Sequence, residues 1–140
     1  LGHHYDDVIE TTMMNVLYGG QIGTMMPKLH SANFPGMELI RPLYLIREKD
    51  ICSWRDYNEL QFLRCACRFT EQNRAENEET ASKRLEMKRL IARLKETNPD
   101  VEKNIFAAME NVNVDQVLTY KQERVRHSFL EHYESDENDV

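Results

Sequence analysis

Three cysteines, Cys52, Cys65 and Cys67, are the residues whose types first suggest chemistry, because thiolates bind metals and act as nucleophiles. Their spacing argues against a shared ion. Cys65 and Cys67 fall in an amphipathic stretch, and on a helix two side chains at that separation point about 200° apart. Packed or partly exposed thiols are therefore expected, with no metal and no cofactor implied. His127 and His132 are five apart and face different directions on their own predicted helix. Gly19-Gly20-Gln21-Ile22-Gly23 is flexible enough for a phosphate loop but lacks a preceding strand and a basic ligand, so it reads as a helix stop and turn. Glu76, Glu78 and Glu79 read as a solvated face, since nothing in the sequence desolvates one of them to make an acid/base pair. There is no nucleophile elbow, no His-Glu-x-x-His pair and no dinucleotide fingerprint. The expectation is that the chain is not an enzyme.

Binding chemistry has a stronger signal between Lys83 and Lys95, where Lys83, Arg84, Lys88, Arg89, Arg93 and Lys95 fall within one helical segment. Met87, Leu90, Ile91 and Leu94 form its inward stripe, which leaves Lys88, Arg89, Arg93 and Lys95 as the candidate partner surface, extended by Trp54 and Tyr57. Such cations suit phosphates or an acidic protein. Glu86, Glu96 and the acidic residues on either side of the segment counter them, and a protein partner is ranked above nucleic acid. A second candidate surface, for dimerisation, is the apolar stripe of the first helix: Val8, Met13, Val16 and Leu17.

The elements that would position these residues read as helices. With 140 residues, 41% of them hydrophobic and only five glycines and four prolines, the chain can bury a core without disulfides. Its net charge of -6 disfavours whole-molecule attraction to nucleic acid or an anionic membrane. Cysteine usage fits a reducing compartment, cytoplasm or nucleus, and no run is long and apolar enough for a membrane span. Residues 1–4, with His3 and His4, read as a fragment end or cloning remnant; 5–134 read as a single helical interaction domain; 135–140 read as an acidic tail.

Asp6-Asp7 open a first helix that ends near Tyr18. Residues 21–37 read as a long, partly ordered loop. Leu39–Ile46, interrupted by Pro42, is either an edge strand or the approach to a short helix, with no second strand to pair with it. Ser53 is placed as the N-cap of a central helix whose stripe is Tyr57, Leu60, Leu63 and Cys67. Residues 72–81 read either as a solvated continuation that joins the central and basic helices into one long rod or as a loop between them; a helical hairpin with a short break is preferred, with Thr80 or Ser82 capping the basic helix. That helix stops at Thr97-Asn98-Pro99-Asp100, Asp100 caps the next one, and a last helix carries Val114, Val117, Leu118, Val125, Phe129 and Tyr133.

The expected fold is therefore all-α, a compact bundle of about four to six helices. The expected role is protein–protein interaction or oligomerisation in an intracellular regulatory or scaffolding protein. The alternative is a nucleic-acid-associated regulatory domain that uses the basic 83–95 helix.

Overall fold

The computed structural model describes residues 1–61 and 74–136, in two compact units, Leu1–Met109 and Glu110–Val140. The fold is mixed rather than all-α: the described residues form five α-helices and two separate two-stranded antiparallel sheets.

The first unit is built around α1, Tyr5–Leu17. Asp6 and Asp7 occupy its first turn, as their charge predicts, and Asp7 Oδ2 accepts the backbone N–H of His4, which takes the N-cap position, at 3.0 Å. The helix ends at Tyr18, and Gly20 follows in the left-handed region at φ 61. α3, Arg74–Thr97, packs against α1. Val8 and Ile9 on α1 and Met87 and Ile91 on α3 are the buried apolar core among the described residues. Each contributes about 1.5–3 kcal/mol. α3 runs unbroken from Arg74 through the segment read as a break, so Thr80 and Ser82 are interior rather than caps.

The stop at Asn98-Pro99 is as read: Asn98 N–H bonds to Leu94 C=O at 2.9 Å, and α4, Val101–Ala108, follows with Asp100 at its N-cap position. The Asp100 side chain makes no cap bond there and instead accepts from Lys103 at 3.2 Å.

Two corrections concern the middle of this unit. Leu39 and Ile40 do find a partner: β1, Lys28–His30, pairs with β2, Glu38–Ile40, in the register Lys28↔Ile40, Leu29↔Leu39, His30↔Glu38. The seven intervening residues turn through Gly36 at φ 80, and Lys28 meets Glu38 at 2.9 Å. Part of the predicted loop is thus a hairpin, hidden because three-residue strands carry almost no periodicity. The second correction is α2, Glu48–Tyr57, which starts five residues before Ser53. Ser53 Oγ donates back to Lys49 C=O at 2.9 Å, the alternative use of a hydroxyl inside a helix. The helix is capped across space, because the Glu48 N–H donates to Asp6 Oδ2 of α1 at 2.7 Å. It ends at Asn58, followed by Glu59 at φ 53. The predicted extension through Leu63, Cys65 and Cys67 lies outside the described residues.

The second unit replaces the predicted last helix. A 3-10 turn at Val114–Gln116 is capped by Asn113, whose side chain accepts the Asp115 N–H at 3.0 Å. β3, Thr119–Gln122, then pairs with β4, Val125–Ser128, and α5, Phe129–Asp136, begins only after them. Thr119, Tyr120 and Val125 favour strand, and Tyr120 stacks on its cross-strand partner His127 with ring centroids 4.9 Å apart. α5 opens with a reciprocal capping box. Ser128 Oγ accepts the Leu130 N–H at 3.4 Å, and Glu131 Oε1 accepts the Ser128 N–H at 3.0 Å.

The hairpin turn is Glu123-Arg124, with φ 49 and φ 71, the two positive values of a type I′ turn. Such turns favour Asn-Gly, and each side chain held there costs about 1–2 kcal/mol. Replacing Glu123 by Asn and Arg124 by Gly together is expected to slow amide hydrogen exchange in β3 and β4 about tenfold; unchanged exchange would rule out the strained turn.

Candidate functional site

Charged side chains meet at the junction of α1, α2, α3 and α4 in the first unit. At its centre is Arg47, the residue before α2. Its guanidinium is bidentate to Asp6 of α1, with Nη2–Oδ1 2.7 Å and Nε–Oδ2 3.2 Å. It is bidentate again to Glu102 of α4, with Nη2–Oε1 2.8 Å and Nη1–Oε2 3.1 Å. The same group lies 5.1 Å from the ring centre of Tyr5, which stacks on Phe106 at 4.7 Å. Planar, paired hydrogen bonding of this kind is the strong form of a charge contact. Hydrogen bonds from Arg47, with those from Lys95 behind them, hold the Glu102 carboxyl down at about 2 against the opposing effect of its burial. The same hydrogen bonds to Glu102 push the Arg47 guanidinium above its ordinary range.

Most of the basic helix turns out to serve this junction. Arg84 donates to Asp7 of α1 at 2.6 Å and lies 3.7 Å from Glu10. Lys88 donates to Glu48 of α2 at 2.6 Å, and Lys95 to Glu102 of α4 at 2.5 Å. Lys83 pairs with Glu79 one turn back at 2.5 Å and lies over the ring of Tyr18. Arg89 and Arg93 are exposed and make no ion pair among the described residues. Of the candidate partner surface, then, Lys88 and Lys95 join helices while Arg89 and Arg93 point to solvent. Trp54 and Tyr57 are 57% and 88% exposed on α2. In the candidate dimer stripe Val8 is in the core, Met13 is half-buried, and Val16 and Leu17 are exposed.

Two shallow cavities flank Lys88. One, of about 230 Å³, has Ile9 and Ile91 in its wall and Asp6, Lys95 and Glu102 around them. The other, of about 280 Å³, is lined by His4, Asp7, Glu48 and Arg84. Glu10 borders both and is 6% exposed; burial raises its carboxyl, with Arg84 opposing. Burial likewise lowers the imidazole of His3, which accepts from Arg41 Nε at 3.3 Å. The carboxylates of Asp6, Asp7, Glu48 and Glu102 each face a cation, so these walls bind charge to charge and leave little free acid or base. Among the described residues no group of three or more His, Cys, Asp or Glu is placed to hold a metal ion, and no helix is long and apolar enough to cross a membrane. Cys52 is half-buried with a free thiol; Cys65 and Cys67 lie outside the described residues.

Sequence reasoning missed Arg47, whose partners lie 41 and 55 residues away. It also missed Lys121, Arg124 and Arg126, three cations with no ion pair among the described residues, because it placed them on a helix. The Ser128-x-x-Glu131 box was the available signal that a helix begins only after them.

The chain is similar to a class of RNA-modifying enzymes. They are bacterial tRNA-cytidine(32) 2-sulfurtransferases: that of Coxiella burnetii (strain CbuG_Q212) is 36% identical over 121 residues, covering 86% of this chain and 44% of the relative. That of Syntrophotalea carbinolica is 33% identical over 118 residues, covering 84% and 42%, and that of Alcanivorax borkumensis 33% over 117 residues, covering 84% and 38%. The chain thus spans less than half the length of the curated relatives it matches. No family model matches the chain, and no solved structure matches it.

These relatives overturn the expectation of a non-enzymatic interaction, oligomerisation or scaffolding module, since the proteins it resembles are named for a reaction. They equally overturn the ranking of a protein partner or self-association above nucleic acid, because the substrate in that name is a tRNA. Of the two compartments read from the sequence, these bacterial relatives support the cytoplasm.

The depressed Glu102 carboxyl makes the stability of the first unit depend on pH. Its carboxyl lies at about 2 in the folded chain against an ordinary 4.5, so its contribution is fully present above the ordinary value and disappears as the pH falls toward 2. Glu102→Gln is expected to cost about 2–3 kcal/mol at neutral pH and close to nothing at about pH 2. Urea titrations of both proteins across that range measure the difference, and a loss independent of pH would contradict it.

Proposed function

We propose that the chain forms part of an enzyme that thiolates tRNA, leaving sulfur at position 2 of a cytidine. The observation that carries this reading is the 36% identity over 121 residues to a protein named for that reaction. The first unit supplies a rigid support, with four helices tied by Arg47, Arg84, Lys88 and Lys95. Rigid packing of this sort is what an RNA enzyme needs beneath its contact surface, because a displacement of about 1 Å at the reacting base lowers the rate about a hundredfold. The cations left over after internal pairing, rather than the total charge of -6, are the groups available to phosphate.

Deleting the gene that encodes the chain is expected to remove 2-thiocytidine from cellular tRNA, and restoring it is expected to return the modified nucleoside. Nucleoside mass spectrometry of purified tRNA reads the outcome. Unchanged 2-thiocytidine in the deletion strain would rule the reading out.

A further inference from the structure

We infer that the β3–β4 hairpin is a phosphate-binding finger that contacts the RNA backbone, an inference that rests on the proposed tRNA substrate. The hairpin concentrates positive charge in an acidic protein. Between residues 118 and 128 stand three cations, Lys121, Arg124 and Arg126, against the single carboxylate Glu123. Lys121 and Arg126 are directly opposite each other in the strand register. Both are exposed, as is Arg124, and none of the three forms an ion pair among the described residues. On the first unit the opposite holds, where four of the six cations between Lys83 and Lys95 have a carboxylate partner.

Like charges facing each other across two strands weaken a hairpin. The turn adds to this weakness, since Arg124 sits at φ 71, where glycine folds better and arginine contributes nothing to local stability. Two independent features thus work against the isolated hairpin, and both place guanidinium or ammonium groups at its tip and along one face. A phosphate backbone resolves the conflict, because a phosphate set between Lys121 and Arg126 converts their repulsion into two attractions, and Arg124 reaches a neighbouring phosphate from the tip. Residue alternation sends Tyr120 and His127 to the other face, where their stacked rings keep the two strands in register. A two-stranded ribbon is a known shape for entering a nucleic-acid groove. With the cations on one face and the aromatic pair on the other, this one is suited to phosphate contact without base readout.

The test uses the full chain and an unmodified tRNA transcript with cytidine at position 32, with binding followed by fluorescence anisotropy between about 50 and about 200 mM salt. The triple variant Lys121→Gln, Arg124→Gln, Arg126→Gln is compared with the parent and with Arg89→Gln, Arg93→Gln, and circular dichroism is recorded for each. The hairpin variant is expected to bind at least about tenfold more weakly and to lower the salt slope by about 2, with its fold retained. A hairpin variant with the parent's affinity and slope overturns the inference while leaving the sulfur-transfer reading intact. So does an effect found only in the α3 variant. A parent that binds phosphatidylglycerol vesicles but not the transcript overturns it as well, and the cellular 2-thiocytidine measurement then judges the sulfur-transfer reading separately. Should the triple variant lose its helical signal, the single variant Arg124→Gly, which relaxes the turn, decides. Weaker tRNA binding by this better-folded hairpin supports the finger, and unchanged binding overturns it.

Discussion

A single guanidinium, Arg47, carries the constraint on which the first unit depends. It accepts the geometry of two carboxylates at once, Asp6 on α1 and Glu102 on α4, while its own backbone begins α2. Only arginine presents enough coplanar donors to make both pairs bidentate; lysine at this position would make one point contact and leave a half-buried carboxylate short of donors. Asp6 also caps α2 through the Glu48 N–H, so one carboxylate holds a side chain and a helix end together. With Tyr5 and Phe106 stacked beneath the guanidinium, the charge cluster is supported on aromatic surface rather than suspended in solvent. The apolar core beside it is small, only Val8, Ile9, Met87 and Ile91 among the described residues, and this raises the relative weight of the polar contacts.

The basic segment of α3 changes meaning in that setting. Cations at Arg84, Lys88 and Lys95 fall on the side of α3 that faces α1, α2 and α4, where each finds a carboxylate. Exposed pairs such as Lys88–Glu48 contribute little singly, about 0–1 kcal/mol, yet they select which helix lies beside which. A stretch that looks like a binding surface is for the most part an assembly surface, and only Arg89 and Arg93 keep their charge for solvent.

The second unit has the reverse economy of charge. It sets Lys121 and Arg126 opposite one another with no ion pair among the described residues, and it bends its chain through two side chains where small residues fold more readily. Local stability comes instead from the Tyr120–His127 stack and from the Ser128–Glu131 capping box at the start of α5. Departures from good local folding concentrated at one tip are the pattern expected where a surface answers to a ligand.

Much of the helical skeleton was legible in the residues. Asp6-Asp7 marked the start of α1, Gly19-Gly20 its end, the Met87–Ile91 spacing the buried face of α3, and Asn98-Pro99 its stop, because each is a signal carried within one or two turns of chain. The β-hairpins were not legible. β1 and β2 are three residues long, too short for alternation to register, and the turn of β3–β4 lacks the glycine or asparagine that announces a type I′ turn. The absence of a catalytic motif was read as the absence of an enzyme, which does not follow for a chain spanning under half the length of its relatives. The sequence by itself determined where helices begin, end and hide their apolar faces, since those depend on neighbours three and four residues away. Tertiary structure alone decided which charges are spent internally, because Arg47 meets Asp6 and Glu102 across 41 and 55 residues, and no local pattern encodes a pairing at that distance.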